Sequence, residues 1–180
     1  MKTCNKTAIY EAQKDADDIM LSVVLLTYNH EKYIRTCLES IISQKTTFKF
    51  ELIVGDDAST DQTAKVILEY AALYPDIVVP VIRKKNIGAV ANLVELLKIA
   101  RGKYIAGCEG DDYWTNSNKL EFQFRFLEEK EDYIACSHDI EIVNEDGTLA
   151  DKQYLTWISP ARDYSLKDYK GILLPGHPVA

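Results

Sequence analysis

Residues 21–44 read "LSVVLLTYNHEKYIRTCLESIISQ". The opening run, Leu21 to Leu26, is leucine and valine with Ser22 as its one polar residue, which suits a strand covered on both faces. After Asn29 the period changes. Ile34, Cys37, Leu38, Ile41 and Ile42 recur at i, i+3, i+4, i+7 and i+8 and so line one face of a helix, with Asn29 or His30 expected near its cap. A buried strand that passes within a few residues into an amphipathic helix is the building unit of a parallel sheet.

The alternation continues along the chain. "FELIVGDD" (50–57) predicts a second strand, and "ASTDQTAKVILEYAALYP" (58–75) a helix opened by a Ser59–Gln62 capping box and ended by Pro75. "IVVPVI" (77–82) is a third strand near an edge, because Pro80 has no N–H to donate to a ladder. "NIGAVANLVELLKIARG" (86–102) predicts a helix with Val90, Leu93, Val94 and Leu97 on its inward face and Gly102 as its stop. "KYIAGC" (103–108) is the fourth strand. "TNSNKLEFQFRFLEEKED" (115–132) is a polar cap and a helix with Leu120, Phe124 and Leu127 inward, and "YIACSHDIEIVNEDGTLAD" (133–151) is strand material closed by the turn "NEDG". The remainder mixes aromatics, prolines and one short helix capped by Ser165. This is an α/β pattern with a mainly parallel central sheet. No repeat or low-complexity linker divides it, so residues 20–180 are expected to form one domain behind a loosely attached tail, 1–19, whose Asp15, Asp17 and Asp18 are solvated.

Bulk composition narrows the function. In 180 residues, 47% hydrophobic and 27% charged content argues for a globular protein with a real core. The net charge of −7 disfavours nucleic acid as a partner, and any phosphate-bearing ligand must meet local cations or a metal to overcome that field. Cys4, Cys37, Cys108 and Cys136 form no C-x-x-C pair, which argues against a zinc knuckle or a disulfide framework and for reduced, mostly buried thiols. The N-terminus has no apolar signal region, and no apolar run approaches the roughly 20 residues of a membrane helix. A cytoplasmic protein without a transmembrane segment is expected, with peripheral membrane association left open.

In an open α/β sheet, ligands bind beyond the carboxyl ends of the strands, where loops and helix N-termini converge. Three polar segments fall there: Thr27, Tyr28 and Asn29; Asp56 and Asp57; and Glu109, Asp111 and Asp112. Each has a purely structural alternative. Thr27, Asn29, Asp56 and Asp57 are residue types that also serve turns and caps, and the three later acids also suit a solvated loop. Three like charges behind a strand nevertheless repel unless something positive compensates, and a divalent cation does so economically. Arg83, Lys84 and Lys85 follow the third strand as either ligand contacts or a solvated basic turn. There is no G-x-x-x-x-G-K-[ST] loop, and no G-x-G-x-x-G follows the first strand, which removes the usual P-loop and dinucleotide sites.

"SVVLLTYNHEKYIRTCLESIISQ", "FELIVGDDASTDQT", "NIGAVANL" and "GKYIAGCEGDDYW", in that order, resemble the family 2 glycosyltransferases of the GT-A (Rossmann-like, three-layer) fold. The resemblance covers about residues 20 to 130. It implies a nucleotide-sugar donor, usually a UDP-sugar, with Mg²⁺ or Mn²⁺ on its diphosphate. Position by position it places Thr27 and Tyr28, with Asn29, at the nucleobase pocket. Asp57, with Asp56 beside it, falls on the base, and Arg83 on the same region. "EGDD" falls on the family's D-x-D motif, so Glu109 faces the ribose or sugar, Asp111 takes the metal and Asp112 supports it. Glu109 departs from the motif's aspartate, keeping the charge on a longer arm. Tyr113 and Trp114 shape the sugar pocket or merely pack.

The implied reaction is a metal-assisted inverting transfer of a hexose-type sugar to a hydroxyl of a glycan or lipid-linked acceptor, in polysaccharide assembly. Family members continue into an acceptor-binding half that holds the catalytic base, which is therefore expected beyond residue 180. Within the chain the nearest candidates are His138, Asp139 and Glu141, whose segment reads better as strand and turn; His177 reads as a loop residue. A truncated or non-catalytic nucleotide-sugar-binding domain is the alternative within the fold. A nucleotidyltransferase would carry a Gly-rich basic loop after the first strand, and a receiver-type phospho-acceptor domain an acid pair there; this chain has Thr27, Tyr28 and Asn29. A purely structural module would leave three polar strand ends unexplained.

Overall fold

The computed structural model describes residues 19–150. The elements run β1 (Ile19–Thr27), α1 (Ile34–Ile42), β2 (Lys49–Asp56), α2 (Thr63–Leu73), β3 (Val78–Ile82), α3 (Ala89–Leu97), β4 (Tyr104–Glu109) and α4 (Lys119–Glu129). The four strands form a parallel sheet in the order β3-β2-β1-β4. β3 is the edge beside β2, as Pro80 predicts. Ile19, expected in the tail, begins β1; the rest of that tail, with Cys4, Ser165 and His177, lies outside the described residues.

The sheet is covered on both faces, which makes three layers. Leu21, Val23 and Leu25 of β1 point to one face, where they meet Ile34, Cys37, Leu38 and Ile41 of α1, Ile67 and Tyr70 of α2, and Leu120 and Leu127 of α4. Val24, Ile53 and Val81 point to the other face and pack on Leu96 of α3. The unbroken apolar run of β1 thus reflects two cores, one for each side of the pleat. Trp114 belongs to the first core, whereas Tyr113 is exposed.

Several local expectations are corrected by tertiary contacts. Val90, Val94 and Leu97 of α3 face outward, with Val90 78% exposed; Asn92 and Leu96 are the buried residues. The segment is apolar nearly all round, so periodicity alone did not choose its inner stripe. Gly55 chose it: a Cβ there would fall 2.5 Å from Leu96 Cδ1, and the Asn92 amide donates to the Gly55 carbonyl at 2.8 Å. Gly102 is likewise required by close approach rather than as a helix stop, since α3 ends at Leu97 and a Cβ at 102 would lie 2.4 Å from the Ser22 backbone nitrogen. Residues 133–150 make no regular strand; the "NEDG" turn forms, closed by a bridge between Val143 and Leu149. No described helix is long and apolar enough to cross a membrane.

A buried ion pair locks the end of the sheet opposite the polar segments. Glu51, 2% exposed, takes Arg101 Nη2 at 2.7 Å and the Arg101 backbone N–H at 2.9 Å, while Ser22 Oγ donates to it at 2.6 Å. Every lone pair needed to offset burial of that carboxylate has a donor. Cys37, Cys108 and Cys136 are free thiols, and the Cys37 and Cys108 sulfurs lie 3.9 Å apart between α1 and β4. Hydrogen bonding to Cys108 and burial hold the Cys37 thiol far above its ordinary range, hence protonated and inert.

Two outcomes test this packing. Gly102→Ala should lower unfolding free energy by about 1–3 kcal/mol, the range for overpacking, in urea denaturation. Lys119 is buried over the Trp114 ring, 4.1 Å from its centroid, and burial lowers its pKa from 10.5 to about 8. Between those two values the unfolded chain holds a proton that the native state has released, so stability from this group rises as pH climbs from 8 to 10.5. In Lys119→Met that gain should disappear from the pH dependence of the denaturation midpoint.

Candidate functional site

The parallel register brings three strand ends level. Leu26 is the partner of Gly55 on β2 and of Glu109 on β4, and Thr27 is the partner of Asp56. The chain leaves each strand there into a loop, and between the loops lies a cleft of about 240 Å³ lined by Thr27, Tyr28, Asp57, Gly88, Asn92 and Glu109, among others. His30, Leu26, Asn86 and Ala89 complete its wall.

Of the expected site residues, Thr27, Tyr28, Asp57 and Glu109 therefore converge. Thr27 is buried, and its Oγ1 has no hydrogen-bond partner among the described residues. Tyr28 is exposed at the rim. Asp57 is buried, and its two carboxylate oxygens accept the backbone N–H groups of Ile87 and Gly88, each at 2.8 Å. It is thus the organiser of the loop that enters α3, where Gly88 sits at φ 86°. An ionised carboxylate has about four lone-pair sites, so Asp57 keeps accepting capacity on its cleft side.

Asn29 and Asp56 act behind the cleft. Asn29 adopts φ 57°, which asparagine tolerates better than most residues, and its Oδ1 accepts the Thr60 N–H at 2.8 Å while its own N–H donates to Ser59 Oγ at 2.9 Å. Asp56 is fully buried and accepts from the Ser59 N–H and hydroxyl. Between these bonds and those of Asp57, Ala58 is held at φ 64°, a left-handed conformation uncommon for a residue with a Cβ.

The capping expected of Asn29, His30, Ser59 and Gln62 is replaced by bonds between loops. Tyr33 is the N-cap of α1, without a side-chain cap, and the His30 carbonyl accepts the Tyr33 and Ile34 N–H groups. Asp61 Oδ1 accepts from Thr63 N at α2, its Oδ2 takes the Glu31 N–H, and Glu31 in turn accepts from Gln62 N. Burial works against ionising Asp61, but bonds from Thr63 and Glu31 outweigh it and hold that carboxyl below its usual range.

Arg83 stands behind Asn92: its Nε donates to Asn92 Oδ1 at 2.8 Å, and its buried Nη2 has no partner among the described residues. Lys84 and Lys85 form an exposed turn. Glu109, Asp111 and Asp112 are all exposed, and the Asp112 N–H donates to the Glu109 carbonyl, which turns the chain out of β4. The loop after them is anchored on α1, where Ser40 Oγ accepts the Trp114 N–H and Gln44 bonds the Asn116 carbonyl. His138, Asp139 and Glu141 lie outside the cleft wall, and the His138 ring engages the Asp139 carbonyl at 2.7 Å.

No group of three or more His, Cys, Asp and Glu side chains gathers to form a metal site among the described residues. The donors present still suit Mg²⁺ or Mn²⁺. Such ions are often held by one or two carboxylates plus water and a ligand's phosphates, and Glu109 and Asp111 are exposed carboxylates two residues apart beside the cleft.

A family model for glycosyl transferase family 2 matches residues 22–177. The chain belongs to that family. An uncharacterised protein of Mycobacterium tuberculosis is 46% identical over 71% of this chain and 37% of its own length. The putative glycosyltransferase EpsE of Bacillus subtilis is 37% identical over 71% of this chain and 45% of its own. Among solved structures, S. aureus TarS in complex with UDP aligns with a TM-score of 0.61 and 30% identity, over 72% of this chain and 38% of TarS. A mannosyltransferase of Pyrobaculum calidifontis in complex with GDP-Man and Mn²⁺ aligns at 0.55 and 25%, over 63% of this chain and 34% of that one. The chain thus spans less than half the length of these relatives. The fold of this family 2 member is the expected α/β one with helices on both faces of a parallel sheet.

Sequence reasoning missed His30, Asn86, Gly88 and Asn92 as cleft residues. Asn92 carried a signal: an amide inside an otherwise apolar helix either breaks the buried stripe or bonds something specific. Asp57→Ala removes the two charge-assisted hydrogen bonds by which a buried carboxylate holds the exposed loop into α3. The variant should lose about 3 kcal/mol of stability, with faster hydrogen exchange at Ile87 and Gly88 than at β1.

Proposed function

We propose that the cleft binds the nucleoside end of a nucleotide-sugar donor, best matched by a UDP-sugar, and that the whole protein transfers the sugar with inversion to a hydroxyl of a glycan or lipid-linked acceptor. The observation that carries this reading is the convergence of Thr27, Tyr28, Asp57 and Glu109 on one cleft at the carboxyl ends of the strands. At about 240 Å³ the cleft lies below the roughly 300–1,000 Å³ of most ligand pockets, a size for a base and ribose rather than a complete nucleotide sugar. TarS, solved with UDP and with UDP-GlcNAc, supports the choice of base. The putative teichuronic acid biosynthesis glycosyltransferase TuaG, 32% identical, supports a role in assembling surface polysaccharide.

In this reading each residue has a defined task. The Thr27 hydroxyl, buried without a partner, meets a polar edge of the base, and Tyr28 covers its face from the rim. Asp57 accepts a ring N–H with the lone pairs left over from Ile87 and Gly88, which favours uracil over a base with an acceptor there. Arg83 fixes Asn92, and with it the far wall. Glu109 reaches the ribose or sugar, and Asp111, supported by Asp112, holds Mg²⁺ or Mn²⁺. The cation, when bound, neutralises negative charge on the departing nucleoside diphosphate. The acceptor hydroxyl requires a general base, which we place outside the described residues. A cytoplasmic location, with peripheral attachment to a membrane that carries the acceptor, fits a soluble nucleotide-sugar supply.

Calorimetric titration of UDP and GDP, with and without Mn²⁺, tests the proposal. UDP should bind, Mn²⁺ should strengthen it, and Asp111→Ala should reduce the Mn²⁺-dependent part by roughly tenfold or more, the loss of one charge-assisted contact. Absence of nucleotide binding, or indifference to both metal and Asp111, would overturn it.

A further inference from the structure

His30 lies where three constraints meet. Its backbone is fixed from both sides: the N–H donates to Thr63 Oγ1 at 2.9 Å, and the carbonyl accepts the N–H groups of Tyr33 and Ile34 at the start of α1. Its ring atom Nδ1 is buried and has no hydrogen-bond partner among the described residues, which is costly for a polar atom unless another state of the protein satisfies it. That atom points toward Asp111, 3.8 Å from Oδ1, beyond hydrogen-bond range.

The residue between them is a glycine for a steric reason. A Cβ on Gly110 would fall 2.8 Å from His30 Nδ1 and 2.6 Å from Thr27 Oγ1, while the Gly110 N–H is tied to the Leu26 carbonyl at 2.8 Å. The space between the imidazole and the acidic loop is therefore kept open by sequence and framed by fixed backbone. On its far side the Asp111 side chain is 47% exposed, against 25% for His30.

We infer that His30 is a positioning residue for Asp111: its Nδ1–H donates to the Asp111 carboxylate in the ligand-bound state and so aims the other carboxylate oxygen at the cation. The inference rests on the donor-site reading above. A side-chain rotation of Asp111 closes the gap, in keeping with the general tendency of functional hydrogen bonds to tighten only in the complex. Direct contact between Nδ1 and a ligand is disfavoured because that atom is out of reach of solvent, whereas second partners that orient a ligating group are a common requirement of cation sites. The tautomer is set by this bond, with the proton on Nδ1.

Isosteres separate this role from simple packing. In His30→Asn the side-chain amide nitrogen takes the place of Nδ1; in His30→Gln it lies one bond further out, and in His30→Leu the donor is gone. UDP affinity is measured with and without Mn²⁺ on each variant and on wild type, with the thermal midpoint as a check on folding. Mn²⁺ should strengthen UDP binding in wild type and His30→Asn alike, while His30→Leu and His30→Gln lose about 10–100-fold of that increment, read as the ratio of affinities with and without Mn²⁺ so that any change in metal-free binding at this residue of the cleft wall divides out. An unchanged increment in His30→Leu and His30→Gln overturns the inference, as does equal loss of metal-free and Mn²⁺-dependent binding. If His30→Leu does not fold, the contrast between His30→Asn and His30→Gln decides alone. A wild type without any Mn²⁺ increment instead sinks the donor-site reading, which keeps the two failures distinct.

Discussion

Because β1 hydrogen-bonds to β2 on one side and β4 on the other, all in parallel, three chain segments must end on one line. Leu26 faces Gly55 and Glu109 across those ladders, and the loops after β1, β2 and β4 leave from that row. Slipping either neighbour by one residue would turn its side chains to the opposite face of the pleat and send Val54 or Cys108 into the wrong core. The two-sided core therefore holds the register, and the register assembles the site. At the other end of the sheet, Glu51 and Arg101 pin the turn between α3 and β4 to Ser22 on β1, so the sheet is secured at both ends by different chemistry.

The acids around the cleft divide into two groups by what they bind. Asp56, Asp57, Asp61 and Glu31 accept backbone N–H groups or hydroxyls from their own or neighbouring loops, and Asp61 and Glu31 take the Thr63 and Gln62 N–H groups at the start of α2, which has no side-chain cap at its N-cap residue. Their charges are satisfied within the scaffold. Glu109 and Asp111 are exposed on the loop that leaves the same row, without such backbone donors among the described residues. In the proposed reading, these two carboxylates would hold the cation that offsets the repulsion between a chain of net charge −7 and a nucleoside diphosphate.

How much of this was legible depends on the range of the interaction concerned. The strands, their order of use and the faces of α1 and α4 followed from apolar period, because each reports burial of a residue by its own element. Thr27, Tyr28, Asp57 and Glu109 could be placed at one end of the sheet because strand ends in a parallel sheet share a side. The orientation of α3 was not legible: an almost wholly apolar helix offers several stripes, and the choice fell to Gly55 and Asn92, 37 positions apart. The caps failed for a similar reason. Ser59 and Gln62 have the spacing of a capping box, but Ser59 is taken by Asp56 within the same turn and the Gln62 N–H by Glu31 from a loop that only the folded sheet brings near.

By itself the amino-acid sequence determined the class of fold, the end of the sheet where chemistry is concentrated, and the family through four motifs kept in order. Those features are local or periodic, so they survive without knowledge of any contact. Only the tertiary structure decided which polar residues face the cleft and which hold it in shape. It turned Asp57 into the clasp of the Ile87–Gly88 loop, set Asn29 and Asp56 behind the wall, and brought His30 beside Asp111, 81 positions later in the sequence. A side chain's partners lie wherever packing of the two cores delivers them, and that distance in space is not written in distance along the chain.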